Sequence, residues 1–161
     1  MRLYRICRVE HLENYQGLGA SYQHGGRWNE PGIPALYFAE TASVAMLEMA
    51  NYLPSPRLVP AGYRLGIYDI SGSPSMERWT VDELPSGWDR FPYPLSTQRM
   101  GSNWLRRASA SLLVIPSAAV PGGLENIVLA SPTRLDAASI RLSAVHEHLY
   151  NPRAFGSAPA N

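Results

Sequence analysis

Proline and glycine punctuate this chain so densely, at 14 and 13 of its 161 residues, that long uninterrupted helices have little room. Each proline removes a backbone donor and each glycine eases a bend, so the chain reads as many short elements, which argues against a helical bundle. The apolar runs between these breaks have strand length. Leu3 to Val9 alternates weakly, with β-prone Tyr4, Ile6 and Val9, and carries Arg5; Cys7 faces the core. Ala35 to Ala39, Tyr63 to Ile70, Ser111 to Pro116, Ile127 to Ala130 and Ile140 to Leu149 read as further strands, with Gly66 a candidate bulge. Thr97 to Ala108 reads as a helix with Trp104 and Leu105 inward, and Thr80 to Leu84 as a single helical turn. His11 to Gln23 is polar and irregular, and Ser71 to Ser96 is a turn-rich stretch held down by Trp79 and Trp88.

One helix carries the first chemical signal. Thr41 is a good N-cap, and Ala42 to Leu53 holds no proline or glycine until Pro54, which gives about three turns. At roughly 100° per residue, Glu48 falls between Val44 and Tyr52, and Met46, Leu47, Met49 and Leu53 fill the remaining surface. A helix apolar nearly all round is expected to be buried, and a carboxylate on it is costly unless it is paired or used. Two roles stay open for Glu48: a structural ion pair with an arginine, or a working group.

The loop before that helix adds a second signal. Gly25-Gly26 frees the backbone for positive φ and close approach to a ligand, and Arg27 offers a planar fork of donors suited to phosphate or carboxylate. Pro31-Gly32 makes another turn, and the strand after it places Tyr37 near the start of the Glu48 helix. Arg5 has two readings, a pocket residue beside Arg27 or a surface arginine. Ser117 lies just past a strand end, either as a turn serine or as a side chain lining a site.

Composition sets the bounds. The net charge is +1 with 17% charged residues, so no basic field favours direct contact with nucleic acid. A single cysteine, Cys7, leaves no internal disulfide and no multi-cysteine zinc site, and His146 and His148 alone are poor evidence for metal. No run reaches the ~18 apolar residues of a membrane span, and Met1 to Arg5 lacks the apolar core of a secretory signal. A cytoplasmic protein is expected, folded as a single domain over residues 1–155 with a tail over 156–161.

The segment Gly25-Gly26-Arg27-Trp28-Asn29-Glu30-Pro31-Gly32-Ile33-Pro34-Ala35-Leu36-Tyr37-Phe38-Ala39-Glu40, followed by a helix with Glu48, resembles the RES domain, the toxin half of bacterial RES-Xre toxin-antitoxin pairs. Leu3-Tyr4-Arg5, Gly101-Ser102-Asn103-Trp104-Leu105, Leu113 to Ala118, Asn126 and Leu149 to Arg153 extend the resemblance over most of the chain. The resemblance implies an α+β fold like that of ADP-ribosyltransferases, with a split, mixed β-core and surrounding helices. It also implies an activity that consumes NAD+, and a separate Xre-like, DNA-binding antitoxin that covers or fills the site. By matching motif positions the resemblance implies Arg27, Tyr37, Glu48 and Ser117 as catalytic residues; Arg5 and Asn29 are candidate substrate contacts beside Arg27, Tyr37 and Ser117.

The residue types suit that chemistry. Breaking the nicotinamide-ribose bond of NAD+ develops oxocarbenium character, which a fixed carboxylate stabilises. In this reading Glu48 faces that charge, Arg27 holds the phosphates, Tyr37 packs on the nicotinamide or its ribose, and Ser117 bonds the same end. No metal or cofactor is needed, NAD+ being the substrate. The acceptor is left open between water, phosphate and a protein side chain, and a binding module without chemistry is the reading from another class.

Overall fold

The computed structural model describes residues 1–53, 58–107 and 109–151. Strands β1 (Arg2–Arg8), β2 (Leu36–Ala39), β3 (Tyr63–Ile70), β4 (Met76–Arg78), β5 (Leu112–Pro116), β6 (Asn126–Ala130) and β7 (Ile140–His146) form one sheet in the order β4-β5-β6-β2-β1-β3-β7. The β4 and β5 pair is parallel and the other neighbours are antiparallel. The join in the middle is narrow: the register sets only Tyr4 opposite Ala39 between β1 and β2, whereas β1 and β3 pair along their whole length. The sheet is thus two halves meeting at one point, the split, mixed β-core of an α+β domain.

Helices α1 (Ala20–His24), α2 (Ala42–Ala50) and α3 (Leu95–Arg107) complete the fold with short 3-10 turns. Side chains alternate across a strand, and here the alternation builds two cores. On one face Tyr4, Ile6, Tyr37, Leu113, Ile115, Ile127 and Leu129 pack with Val44 and Ala45 of α2, Trp104 and Leu105 of α3, and Trp28. On the other, Leu3, Cys7, Leu36, Phe38, Tyr68, Leu112, Val114 and Val128 pack under loops carrying Leu12 and Leu135. Every residue of β5 is buried, which is why its sequence is a continuous apolar run rather than an alternating one.

α2 packs against β1, β2 and β6, and so bridges the narrow join. Its start is set by Thr41, whose side chain accepts from the Val44 amide at 3.2 Å. The expectation of a helix buried all round does not hold. Only Val44 and Ala45 are buried, and Leu47 is 43% exposed, because α2 is an outer layer with the sheet on one side only.

Three further expectations change. The register irregularity falls between Ile67 and Tyr68, against β7, rather than at Gly66; Gly66 is needed because a Cβ there would sit 2.7 Å from the Tyr68 ring. The stretch read as irregular, His11 to Gln23, runs into α1 from Ala20 onward. β4, three exposed residues inside the turn-rich segment, was not foreseen. The helical turn at Val81–Glu83 is present, closed by a capping box between Thr80 and Glu83. Among the expectations, Pro54 as the stop after α2, the connection Pro54-Ser55-Pro56, the helix end at Ala108, Pro152-Arg153 and the tail lie outside the described residues.

Candidate active site

At the centre of the site a serine meets a carboxylate. β5 ends at Pro116, and Ser117, fully buried, donates from Oγ to Glu48 Oε1 at 2.7 Å. The same Oγ accepts from the Ala119 amide at 3.1 Å, and the Ser117 amide donates to the Glu125 carbonyl at 2.8 Å, so the hydroxyl is aimed from both sides. Thr41 ties the start of α2 to the same corner, its hydroxyl donating to Glu125 Oε2 at 3.0 Å. Glu48 is half-buried, and among the described residues no hydrogen bond or ion pair reaches its Oε2. One oxygen is therefore fixed, and the other has no partner among the described residues.

The structural ion pair considered for Glu48 is absent among the described residues, since none of their salt bridges includes Glu48 or Arg27. Arg27 instead donates from Nη1 to the carbonyls of Trp88 at 2.6 Å and Arg90 at 2.8 Å. Its guanidinium lies over the Tyr93 ring, 4.9 Å from the centroid, a contact in which the ring face attracts the cation. Carbonyls and a ring orient the charge, and among the described residues no carboxylate neutralises it.

The Arg27 loop is rigid for reasons spread along the chain. Gly25 has φ of 79°, and a Cβ on Gly26 would stand 2.8 Å from both the Tyr37 hydroxyl and Asn29 Oδ1. The close approach that Gly26 permits is thus to the protein's own side chains rather than to a ligand. Tyr37 donates to Asn29 Oδ1 at 2.7 Å and accepts from the Trp28 amide at 3.1 Å. The fully buried Asn29 amide nitrogen donates to the carbonyls of Ser21 at 2.7 Å and Ile33 at 3.1 Å. α3 supplies the floor: Gln98 donates to the Gly26 carbonyl at 3.0 Å, and Ser102 Oγ accepts from the Glu30 amide at 2.8 Å. Gly101 leaves room for the Trp28 carbonyl, which a Cβ would meet at 2.1 Å.

The structure brings Glu48, Ser117, Tyr37 and Arg27 to one face of the sheet. Burial pushes the Tyr37 phenol well above its ordinary range, and the nearby Glu48 charge adds to the rise while the Trp28 amide and Arg27 oppose it, so both charges lie within electrostatic reach of Tyr37. Arg5 is not brought in. It shares the opposite face with Leu3 and Cys7, where Nη1 makes long contacts of 3.4 Å to the carbonyls of His11 and Asn14. Asn29 is present, but its side chain is committed to the loop as a positioning residue.

Two residues at the site were missed in the sequence. Tyr93 seats Arg27 and donates to the Tyr52 hydroxyl at 2.6 Å. Tyr52 carried a readable signal, since it follows Glu48 by four residues, one helical turn. Tyr93 carried none, because its partners are distant in sequence. Among the described residues no group of three or more His, Cys, Asp or Glu could hold a metal ion, and no helix is long and apolar enough to cross a membrane.

Fold and site define a class of protein: a small α+β domain with a serine-fixed carboxylate and an unneutralised arginine on one face of a split sheet. A chain in the crystal structure of the M. tuberculosis MbcT-MbcA toxin-antitoxin complex shares the fold, with a TM-score of 0.70 over 91% of this chain and 83% of that one, at 21% identity. Sequence relatives narrow the class. The Prs ADP-ribosylating toxin of Sphingobium sp. (strain YBL2) is 33% identical over 159 residues, 98% of this chain and 96% of the relative. Toxin Res of Photorhabdus laumondii is 36% identical over 137 residues, 84% and 85% of the two chains. Residues 2–150 match the RES domain. The chain belongs to the RES domain family, among relatives that are toxins.

Proposed function

We propose that this RES-domain toxin breaks the nicotinamide-ribose bond of NAD+, removing the dinucleotide by hydrolysis or phosphorolysis. The observation that carries the reading is the 2.7 Å contact from Ser117 to a Glu48 with no cationic partner among the described residues. A carboxylate fixed at one oxygen and free at the other can bind a ribose hydroxyl and face the oxocarbenium charge that grows as nicotinamide leaves. Arg27 takes the diphosphate with the edge of the guanidinium that Trp88 and Arg90 leave uncovered. Tyr37 contributes its ring, packed beside the reacting end, while its hydroxyl holds the Arg27 loop.

A second reading, transfer of ADP-ribose to a protein, is favoured by the name of the Sphingobium relative, an ADP-ribosylating toxin. Bond cleavage is the same in both and the acceptor differs. Incubating the purified chain with adenylate-labelled NAD+, with and without cell lysate, separates them. Free ADP-ribose or its phosphorylated form without lysate supports hydrolysis or phosphorolysis. Label fixed to a protein band, with no turnover in its absence, moves the assignment to transfer.

The toxin is held in check by an antitoxin protein of Xre type that covers or fills the site. Support comes from the toxin-antitoxin complex that shares the fold and from apolar side chains beside the site residues: Leu47 is 43% exposed next to Glu48, and Phe91 is 78% exposed two residues from Tyr93. Contact with DNA belongs to that partner.

A further inference from the structure

We propose that Tyr52 is a substrate-binding residue of this site, its hydroxyl donating to an oxygen of the diphosphate-ribose portion of the dinucleotide, with Tyr93 as the residue that positions it. The inference rests on the NAD+ reading above. It starts from the direction of one hydrogen bond. Tyr93 donates and Tyr52 accepts, at 2.6 Å, so the proton of Tyr52 is free to point elsewhere. Among the described residues nothing accepts it, and Tyr52 is 61% exposed.

Its neighbours place that donor beside the site residues. Tyr52 lies four residues past Glu48, just beyond the end of α2, and its phenol is held above the ordinary value by desolvation at its root and by the nearby charges of Tyr93, Glu48 and Tyr37. The proton therefore stays on through neutral pH, as a donor requires. Tyr93 links this donor to the anion-binding arginine, since its ring lies under the Arg27 guanidinium. One residue thereby sets the spacing between a cation and a hydroxyl that would grip the same diphosphate-ribose.

The competing role is structural, a phenol pair that merely pins the Trp88 to Tyr93 loop to the end of α2. Calorimetric titration of NAD+ into the Glu48→Gln chain separates the two, because binding is then read without turnover. Tyr52→Phe in that background should weaken NAD+ about tenfold, and Tyr93→Phe, which keeps the ring under Arg27, by a smaller factor. Tyr93→Phe added to Tyr52→Phe should weaken binding no further, since Tyr93 acts through the hydroxyl already lost. Unchanged NAD+ affinity in Tyr52→Phe, with melting temperatures lowered alike in both single variants, overturns the proposal and leaves the NAD+ reading standing. If the unaltered chain consumes no NAD+ and the Glu48→Gln chain binds none, that reading fails and this inference fails with it.

Discussion

Ser117 and Glu48, 69 positions apart in sequence, meet through a 2.7 Å hydrogen bond that joins the end of β5 to α2. The bond holds one oxygen of Glu48 and leaves the other with no partner among the described residues, and it gives the first prediction. Ser117→Ala should lower the rate of NAD+ loss by roughly 10- to 100-fold, the scale of losing one charge-assisted hydrogen bond in a reacting site. Ser117→Thr, which keeps the hydroxyl, should retain more activity than Ser117→Ala. Steady-state rates for the two variants check it, and equal rates would remove the hydroxyl from the mechanism.

Arg27 gives the second. Arg27→Lys keeps the charge but has a single nitrogen, so it cannot serve the Trp88 and Arg90 carbonyls, both held by Nη1, and still present a second nitrogen to an anion. It should raise KM for NAD+ by about tenfold, with Arg27→Ala more severe. Unchanged KM in Arg27→Ala would count against the phosphate role.

The glycines give the third. Gly101→Ala drives a methyl to 2.1 Å from the Trp28 carbonyl, and Gly26→Ala drives one to 2.8 Å from the Tyr37 hydroxyl. Overpacking against the Trp28 backbone has no soft direction, whereas the Tyr37 and Asn29 side chains beside Gly26 can shift slightly, so Gly101→Ala should destabilise the fold by at least ~2 kcal/mol and Gly26→Ala by about 1 to 2 kcal/mol. Urea unfolding of both variants tests the order.

Much of the fold was legible because its signals are local. β3 runs from Tyr63 to Ile70 as its alternation predicts, and α3 turns Trp104 and Leu105 inward. β4 was not legible, since Met76–Arg78 becomes a strand only by pairing with β5, which lies beyond α3. In the site, Arg27, Tyr37, Glu48 and Ser117 were picked from local setting and from family likeness, and the structure gathers them. Arg5 was misplaced although strand period two puts it on the side of Leu3 and Cys7. Asn29 was given a ligand when its amide is used by Ser21 and Ile33, contacts that no linear pattern reveals.

The buried phenols give the fourth prediction. Burial raises Tyr37 above its ordinary value of 10, and burial followed by nearby Cys7 raises Tyr68 in the same direction. A raised folded value means that the stabilisation is fully present below pH 10 and is lost as the pH climbs toward the folded value, at ~1.4 kcal/mol per pH unit for each phenol. Melting temperature should hold steady to about pH 9 and fall beyond about pH 10. Tyr37→Phe, less stable at neutral pH for want of its hydrogen bonds to Asn29 and Trp28, should fall less steeply.

The most direct measurement is proton NMR of NAD+ mixed with the purified chain, free of any partner, alongside its Glu48→Gln variant. Free nicotinamide with the unaltered chain, and a rate at least about 100-fold lower with Glu48→Gln at unchanged fold, is the predicted result. Nicotinamide released equally by both chains would contradict the central role of Glu48. NAD+ left intact by the unaltered chain, with lysate present as well as absent, would contradict the assignment of this site to NAD+ chemistry.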